Sequence, residues 1–156
     1  MPPPFPGTYA LLLRLSAGLR VRVLGHVHLL TPGTYVYVGS ALGPGGLRAR
    51  LARHFSKNKR LRWHVDQITR VVAPLLAVYA ISTEKLECTL VGELLRKGFQ
   101  APVRGFGSSD CSKGCPAHLL ACPSSLPACL RLILEAFLEL GLRPRLLYYL
   151  HPADPL

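Results

Sequence analysis

The strongest constraint on the fold is a change of apolar period partway along the chain. Up to residue 38 the apolar positions alternate in twos, and from residue 46 they recur in threes and fours. Residues 8–16 place Tyr9, Leu11, Leu13 and Leu15 on one side of a strand. Ala17-Gly18 makes a turn, and residues 19–24 alternate again, with Arg20 and Arg22 outward and Val21 and Val23 inward. This pattern predicts a hairpin between the first two strands. Residues 26–30 continue the sheet past Gly25. After Pro32-Gly33, residues 34–38 form a third strand, with Tyr35 and Tyr37 on one face and Val36 and Val38 on the other.

The second half reads differently. A glycine-rich loop, residues 39–46, lacks the Gly-Lys-Ser/Thr ending of a phosphate-cradling P-loop. A helix follows with Leu47, Leu51 and Phe55 as its apolar stripe and Arg50, Arg53, His54 and Lys57 on the adjoining flank. Residues 62–72 read as a second helix, and residues 75–81 as a buried strand. Ser82 or Thr83 can cap a helix over 84–97, which Gly98 ends. Residues 100–122 carry few periodic cues. Ser125 can cap a last helix with Leu130, Ile133, Leu134, Phe137 and Leu138 on one face, and residues 146–150 can form a terminal strand. The expected fold is α+β: a small antiparallel sheet, a hairpin meander plus one further strand, flanked by helices. Residues 1–122 form the expected main domain, and residues 123–156 a helical extension packing on it.

Charge narrows the partners. Of the net charge of +11, +10 lies in the first 65 residues, which hold ten Lys/Arg and no acid; Asp66 is the first. Arg48, Arg50, Arg53, Lys57, Lys59, Arg60 and Arg62 are packed into fifteen positions. Such density suits a phosphate backbone, although acids from the second half can fold back on it. The most apolar run, residues 71–81, is eleven residues long with Pro74 inside it, where a membrane span needs roughly 20. The start of the chain has neither a basic n-region nor an apolar h-region. No membrane association and a cytoplasmic location are therefore expected. Five cysteines at uneven spacing argue against a disulfide scaffold.

Two groups of residues carry chemistry. Glu87 falls within the apolar arc of Leu86, Leu90, Val91 and Leu94. A carboxylate there needs a compensating cation, either an arginine of the basic helix or a metal ion. Cys111, Cys115, His118 and Cys122 are zinc-ligand types at spacings that match no standard finger, so zinc is possible but less expected than buried thiols and a core histidine. Ser108, Ser109 and Asp110 form a polar loop, and Trp63 and His64 suit a core as well as base stacking.

Gly7-Thr8-Tyr9 and Tyr37-Val38-Gly39 resemble the two elements that name the GIY-YIG nuclease superfamily. The run from Ser40-Ala41 through Leu47-Arg48-Ala49-Arg50-Leu51-Ala52-Arg53-His54 resembles the helix carrying that superfamily's arginine. The segments Arg62-Trp63-His64-Val65-Asp66 and Phe106-Gly107-Ser108-Ser109-Asp110-Cys111 are similar to those of its Uri-type branch, sometimes joined to endonuclease III-like repair proteins. The resemblance covers residues 7–122. It implies a DNA endonuclease using one Mg²⁺ or Mn²⁺ ion on Glu87, with Tyr9, Tyr37, Arg50, His54 and Glu87 as the catalytic set. Tyr35, in its own Gly33-Thr34-Tyr35, rivals Tyr9 for the first tyrosine role and is otherwise placed toward nucleic acid. Arg48, Arg53, Lys57, Lys59, Arg60 and Arg62 are placed on the DNA backbone. The expected partners are branched, damaged or single-stranded DNA and a repair protein. A non-catalytic nucleic-acid-binding module is the alternative.

Overall fold

A computed structural model of the chain describes residues 2–108 and 114–148. Four strands come first: β1 (Gly7–Leu15), β2 (Leu19–Val23), β3 (His26–Leu30) and β4 (Gly33–Ala41). Then follow α1 (Gly46–Phe55), α2 (Asp66–Thr69), β5 (Leu76–Ile81), α3 (Glu87–Arg96), β6 (Leu119–Ala121), α4 (Leu126–Glu139) and β7 (Arg145–Tyr148). The class is α+β, as expected: a five-stranded sheet in the order β6-β4-β1-β5-β7 and a separate two-stranded sheet of β2 and β3. Every strand pairing is antiparallel.

β1 lies at the centre of the sheet and is buried on both faces, so its alternation sorts side chains between two cores. Tyr9, Leu11 and Leu13 join Tyr35, Tyr37, Leu47, Leu51, Phe55 and Ile68 on one side. Ala10 and Leu12 join Val36, Val38, Leu90, Leu94, Ile133 and Phe137 on the other. The helices thus divide by face, α1 and α2 on the tyrosine side and α3 and α4 on the valine side.

Several expectations are corrected. β2 does not pair with β1. It pairs with β3, while β1 takes β4 and β5 as neighbours. Val21, Val23 and Leu30 drop into the tyrosine-side core, and the outward side of the ribbon keeps its arginines. The expected helix over 62–72 shrinks to the single turn α2, because residues 60–65 form a loop wrapped around the Asp66 carboxylate. The helix expected from residue 84 begins at Glu87, after Leu86 and with no side-chain cap. β6 had no periodic signal; at three residues it is too short to show one, and its pairing with β4 defines it. Ser125 does cap α4, accepting from the Ala128 N–H, but Leu138 is exposed and Cys129, Ile133, Ala136 and Phe137 make the buried stripe.

α4 packs in the valine-side core, and β7 pairs with β5 at the sheet edge. Lys97 of the α3 C-cap reaches Glu139 at 2.7 Å and Glu135 at 3.9 Å. Cysteines also depart from expectation: Cys88 is joined to Cys115, and Cys122 to Cys129. Spacing in the chain could not show this, because Cys88 approaches Cys115 only once α3 lies beside the segment entering β6. Among the described residues, no helix is long and apolar enough to cross a membrane.

Candidate active site

The register of the sheet builds the first half of the site. Tyr9 lies opposite Gly39, and Tyr37 lies opposite Leu11, so the two tyrosines fall on one face as diagonal neighbours. Both rings are buried, and both line one cavity of about 190 Å³. Gly39 provides the clearance, since a Cβ there would meet the Tyr9 ring and hydroxyl at 2.5 Å. Gly7 does similar work at the start of β1, where a Cβ would strike the Ala80 carbonyl and the Leu47 side chain.

α1 adds the cation. Its apolar stripe of Leu47, Leu51 and Phe55 seats it on the tyrosine face, which turns Arg50 toward the same cavity. The Arg50 Nη1 donates to the Ser40 carbonyl at 3.1 Å, and its guanidinium lies 4.4 Å from the centre of the Trp63 ring. The two contacts together restrain the guanidinium at the cavity wall, as oriented recognition of a phosphate requires.

The carboxylate comes from the other layer. Glu87 is the first residue of α3, not a mid-helix position, and this removes the conflict that the apolar arc posed. Leu90, Val91 and Leu94 fill the core, while Glu87, only 6% exposed, lines the cavity. A carboxylate in a first helical turn is favoured by the unpaired N–H groups there. The Ser40 hydroxyl donates to Glu87 Oε2, and the exposed Lys85 ammonium lies 3.7 Å from Oε1.

His54 does not sit on a solvated cationic flank, as its neighbours in sequence implied. It is 1% exposed beneath the tyrosines, with Nε2 2.7 Å from the Tyr9 Oη. Its Nδ1 is buried with no hydrogen-bond partner among the described residues. A buried N–H without an acceptor is costlier than a buried lone pair, which assigns the ring proton to Nε2, donating to Tyr9. The Tyr9 hydroxyl proton is then left to point elsewhere. Burial, reinforced by Lys59 and Arg50, pushes the His54 pKa down to about 3, so the ring is neutral at pH 7. Burial also raises Tyr9 to about 12, with Arg50 pulling the other way, and it raises Tyr37 further. The neighbouring cations therefore do not make a phenolate at neutral pH in the ligand-free protein.

The basic cluster divides in two. Arg48, Lys57, Arg60 and Arg62 are exposed. Arg53 and Lys59 are not free, because Asp66 folds back between them. Its Oδ2 accepts from Arg53 Nη2 at 2.7 Å and from the Arg62 and Trp63 N–H groups at 2.8 and 2.9 Å. Lys59 lies 3.9 Å from Oδ1, and burial lowers its pKa to about 8 despite that charge. Burial raises the Asp66 pKa, but the two N–H groups and Arg53 outweigh it and hold the carboxyl below its usual range. Tyr35 is also corrected. It is buried away from the cavity that Tyr9 and Tyr37 line, and its hydroxyl donates to the Thr31 carbonyl at 2.5 Å.

Ser40, Lys85, Trp63 and His118 also line the cavity, with Gly107. Sequence reading did not place these four side chains at the cavity: His118 stood out only as a possible zinc ligand, Trp63 read equally as core or base stacking, and nothing in the chain set Ser40 or Lys85 beside Glu87. His118 belongs also to a second group. Half-buried Cys88 and Cys115 and buried His118 place their ligand atoms within 4.8 Å of one another, a cluster that could hold a metal ion. Cys122 is not part of it, being joined to Cys129, and Cys111 lies outside the described residues, as do Ser109 and Asp110.

Fold and site thus define an α+β protein with a small polar cavity walled by two tyrosines, an arginine and a helix-terminal glutamate. The family model described as Domain of unknown function DUF123 matches residues 8–139, and the chain belongs to that family. The match runs from β1 through α4. No curated protein and no solved structure matches the chain.

Proposed function

We propose that the chain is a metal-dependent endonuclease of GIY-YIG type that hydrolyses phosphodiester bonds in DNA. The observation that carries this is the convergence of Tyr9, Tyr37, Arg50 and Glu87 on one cavity beside a basic helix. Glu87 suits one Mg²⁺ or Mn²⁺ ion. A hard cation of this kind takes a single carboxylate, phosphate oxygens and waters, and the exposed Lys85 can leave to admit it. Bound there, the ion supplies Lewis-acid stabilisation of the phosphate charge.

The chain's own residues do the rest. Ser40 orients the Glu87 carboxylate, and Arg50, held over the Trp63 ring, pairs with phosphate oxygens. Tyr9 positions the attacking water through its hydroxyl. Tyr9 first loses its hydroxyl proton to solvent, with His54 Nε2–H and Arg50 stabilising the phenolate. The phenolate then takes a proton from the attacking water as the water oxygen bonds to phosphorus, and the P–O bond to the leaving strand breaks to give an alkoxide that solvent protonates. Because Tyr9 titrates near 12, the active fraction rises with pH, about tenfold per unit between pH 7 and 10. The proposal extends to branched, damaged or single-stranded DNA as substrate, a repair protein as partner and a cytoplasmic setting.

The test is cleavage of nicked, branched and single-stranded DNA with Mg²⁺ or Mn²⁺, comparing wild type with Glu87→Ala and Arg50→Ala. Metal-dependent cleavage lost by a factor of about 10² or more in each variant is the expected result. A non-catalytic DNA-binding module is the second reading, favoured by the raised Tyr9 pKa. It is the conclusion if all three proteins bind DNA and none cuts it at any pH up to 10.

A further inference from the structure

The cluster of Cys88, Cys115 and His118 plays no part in the proposed hydrolysis, yet it adjoins the cavity. Cys88 follows Glu87 in the first turn of α3, and Cys115 and His118 lie in the segment that runs into β6. The Cys88 Sγ is 3.6 Å from His118 Nε2, and all three donor atoms fall within 4.8 Å of one another. The His118 carbonyl accepts from the Val38 N–H at 2.9 Å and its own N–H donates to Phe106, so its backbone is anchored from both sides. The side chains thus come from two stretches 27 residues apart and converge without any carboxylate among them.

We propose that the reduced chain binds one Zn²⁺ ion through Cys88, Cys115 and His118, and that this ion and the Cys88–Cys115 disulfide are alternative cross-links between α3 and the segment before β6. The donor set makes the choice of metal. Two thiolates and an imidazole suit zinc, whereas the hard ions suited to Glu87 favour oxygen. Among the described residues three protein ligands converge, one short of a tetrahedral set. A thiol reductant opens the disulfide by delivering two electrons and two protons, and is itself oxidised to its disulfide. Zinc then displaces the two thiol protons and binds both sulfurs. Either cross-link pins the turn that carries Glu87. The proposal does not depend on whether the cavity cuts DNA.

The experiment uses the full chain purified with reductant and zinc, then gel-filtered, with metal counted by mass spectrometry and free thiols counted in parallel. About one equivalent of zinc is expected for the reduced protein, and less than a tenth of that after oxidation with diamide, which accepts the two electrons and two protons. Cobalt added to the reduced apoprotein should give thiolate-to-metal charge-transfer absorption, and zinc should raise the thermal midpoint. Cys88→Ser and His118→Ala should each lower zinc affinity at least tenfold, while Cys122→Ser keeps wild-type uptake. Because the wild-type comparison needs no variant, a misfolded mutant does not rescue the idea. Reduced wild type with its thiols free but no bound zinc would overturn it. So would uptake that survives diamide or a folded Cys88→Ser/Cys115→Ser variant.

Discussion

An added methyl group at residue 39 would lie 2.5 Å from both the Tyr9 Cζ and its hydroxyl oxygen. Gly39→Ala is therefore expected to push Tyr9 away from His54, costing about 1–3 kcal/mol of stability and most of any cleavage activity. Urea unfolding and the cleavage assay check this, and an unchanged midpoint would show that the ring moves freely. His54 gives a second prediction. Its folded pKa is near 3 against 6.5 for an ordinary histidine, so below pH 6.5 the unfolded chain binds the extra proton. The resulting stability is fully present above pH 6.5 and lost as pH falls from there toward 3, by at most about 1.4 kcal/mol per unit. His54→Gln should flatten that part of the pH–stability curve, measured by urea unfolding at each pH. At this scale the shared face of Tyr9 and Tyr37, the place of Arg50 on α1 and the oddity of Glu87 were legible from local periodicity, and the structure brings the four to one cavity. The burial of His54 was not legible, since periodicity places a residue on a flank but does not say what covers it.

Asp66 organises a whole segment rather than one contact. Its carboxylate gathers two loop N–H groups and Arg53, which turns residues 60–65 back toward α1 and sets Trp63 beneath the guanidinium of Arg50. Asp66→Asn removes the charge that Arg53 and Lys59 share, and is expected to cost about 2 kcal/mol. A fall of several degrees in the thermal midpoint measures it, and a fall below one degree would mean the loop is held by Trp63 packing instead. The same element shows how sequence reading misjudged length. Residues 62–72 have helical spacing, but the carboxylate competes for the loop N–H groups and leaves only α2. Conversely, α3 begins late, and its late start is what brings Glu87 out of the core and into the cavity.

Across the whole molecule, the asymmetry of charge sets how DNA would bind. Arg48, Lys57, Arg60 and Arg62 remain exposed after Asp66 has drawn in Arg53 and Lys59. Four phosphate contacts imply that log K falls with log salt at a slope of about −3.6 on duplex DNA. Lys57→Ala/Arg60→Ala should reduce that slope by about 1.8, read from binding isotherms at several salt concentrations. An unaltered slope would move the DNA track off the segment that follows α1. The sequence by itself determined the α+β class, the strands β1, β4 and β5, the helix α1 and the one-sided charge. Each of these follows from local periodicity or composition, which persist whatever the chain packs against. Tertiary structure alone decided that β1 is central and bound to β4 rather than β2, that His54 lies beneath Tyr9, and that Cys88 meets Cys115 and His118. Those outcomes depend on distant segments excluding water from the same space, and no short stretch of residues carries that information.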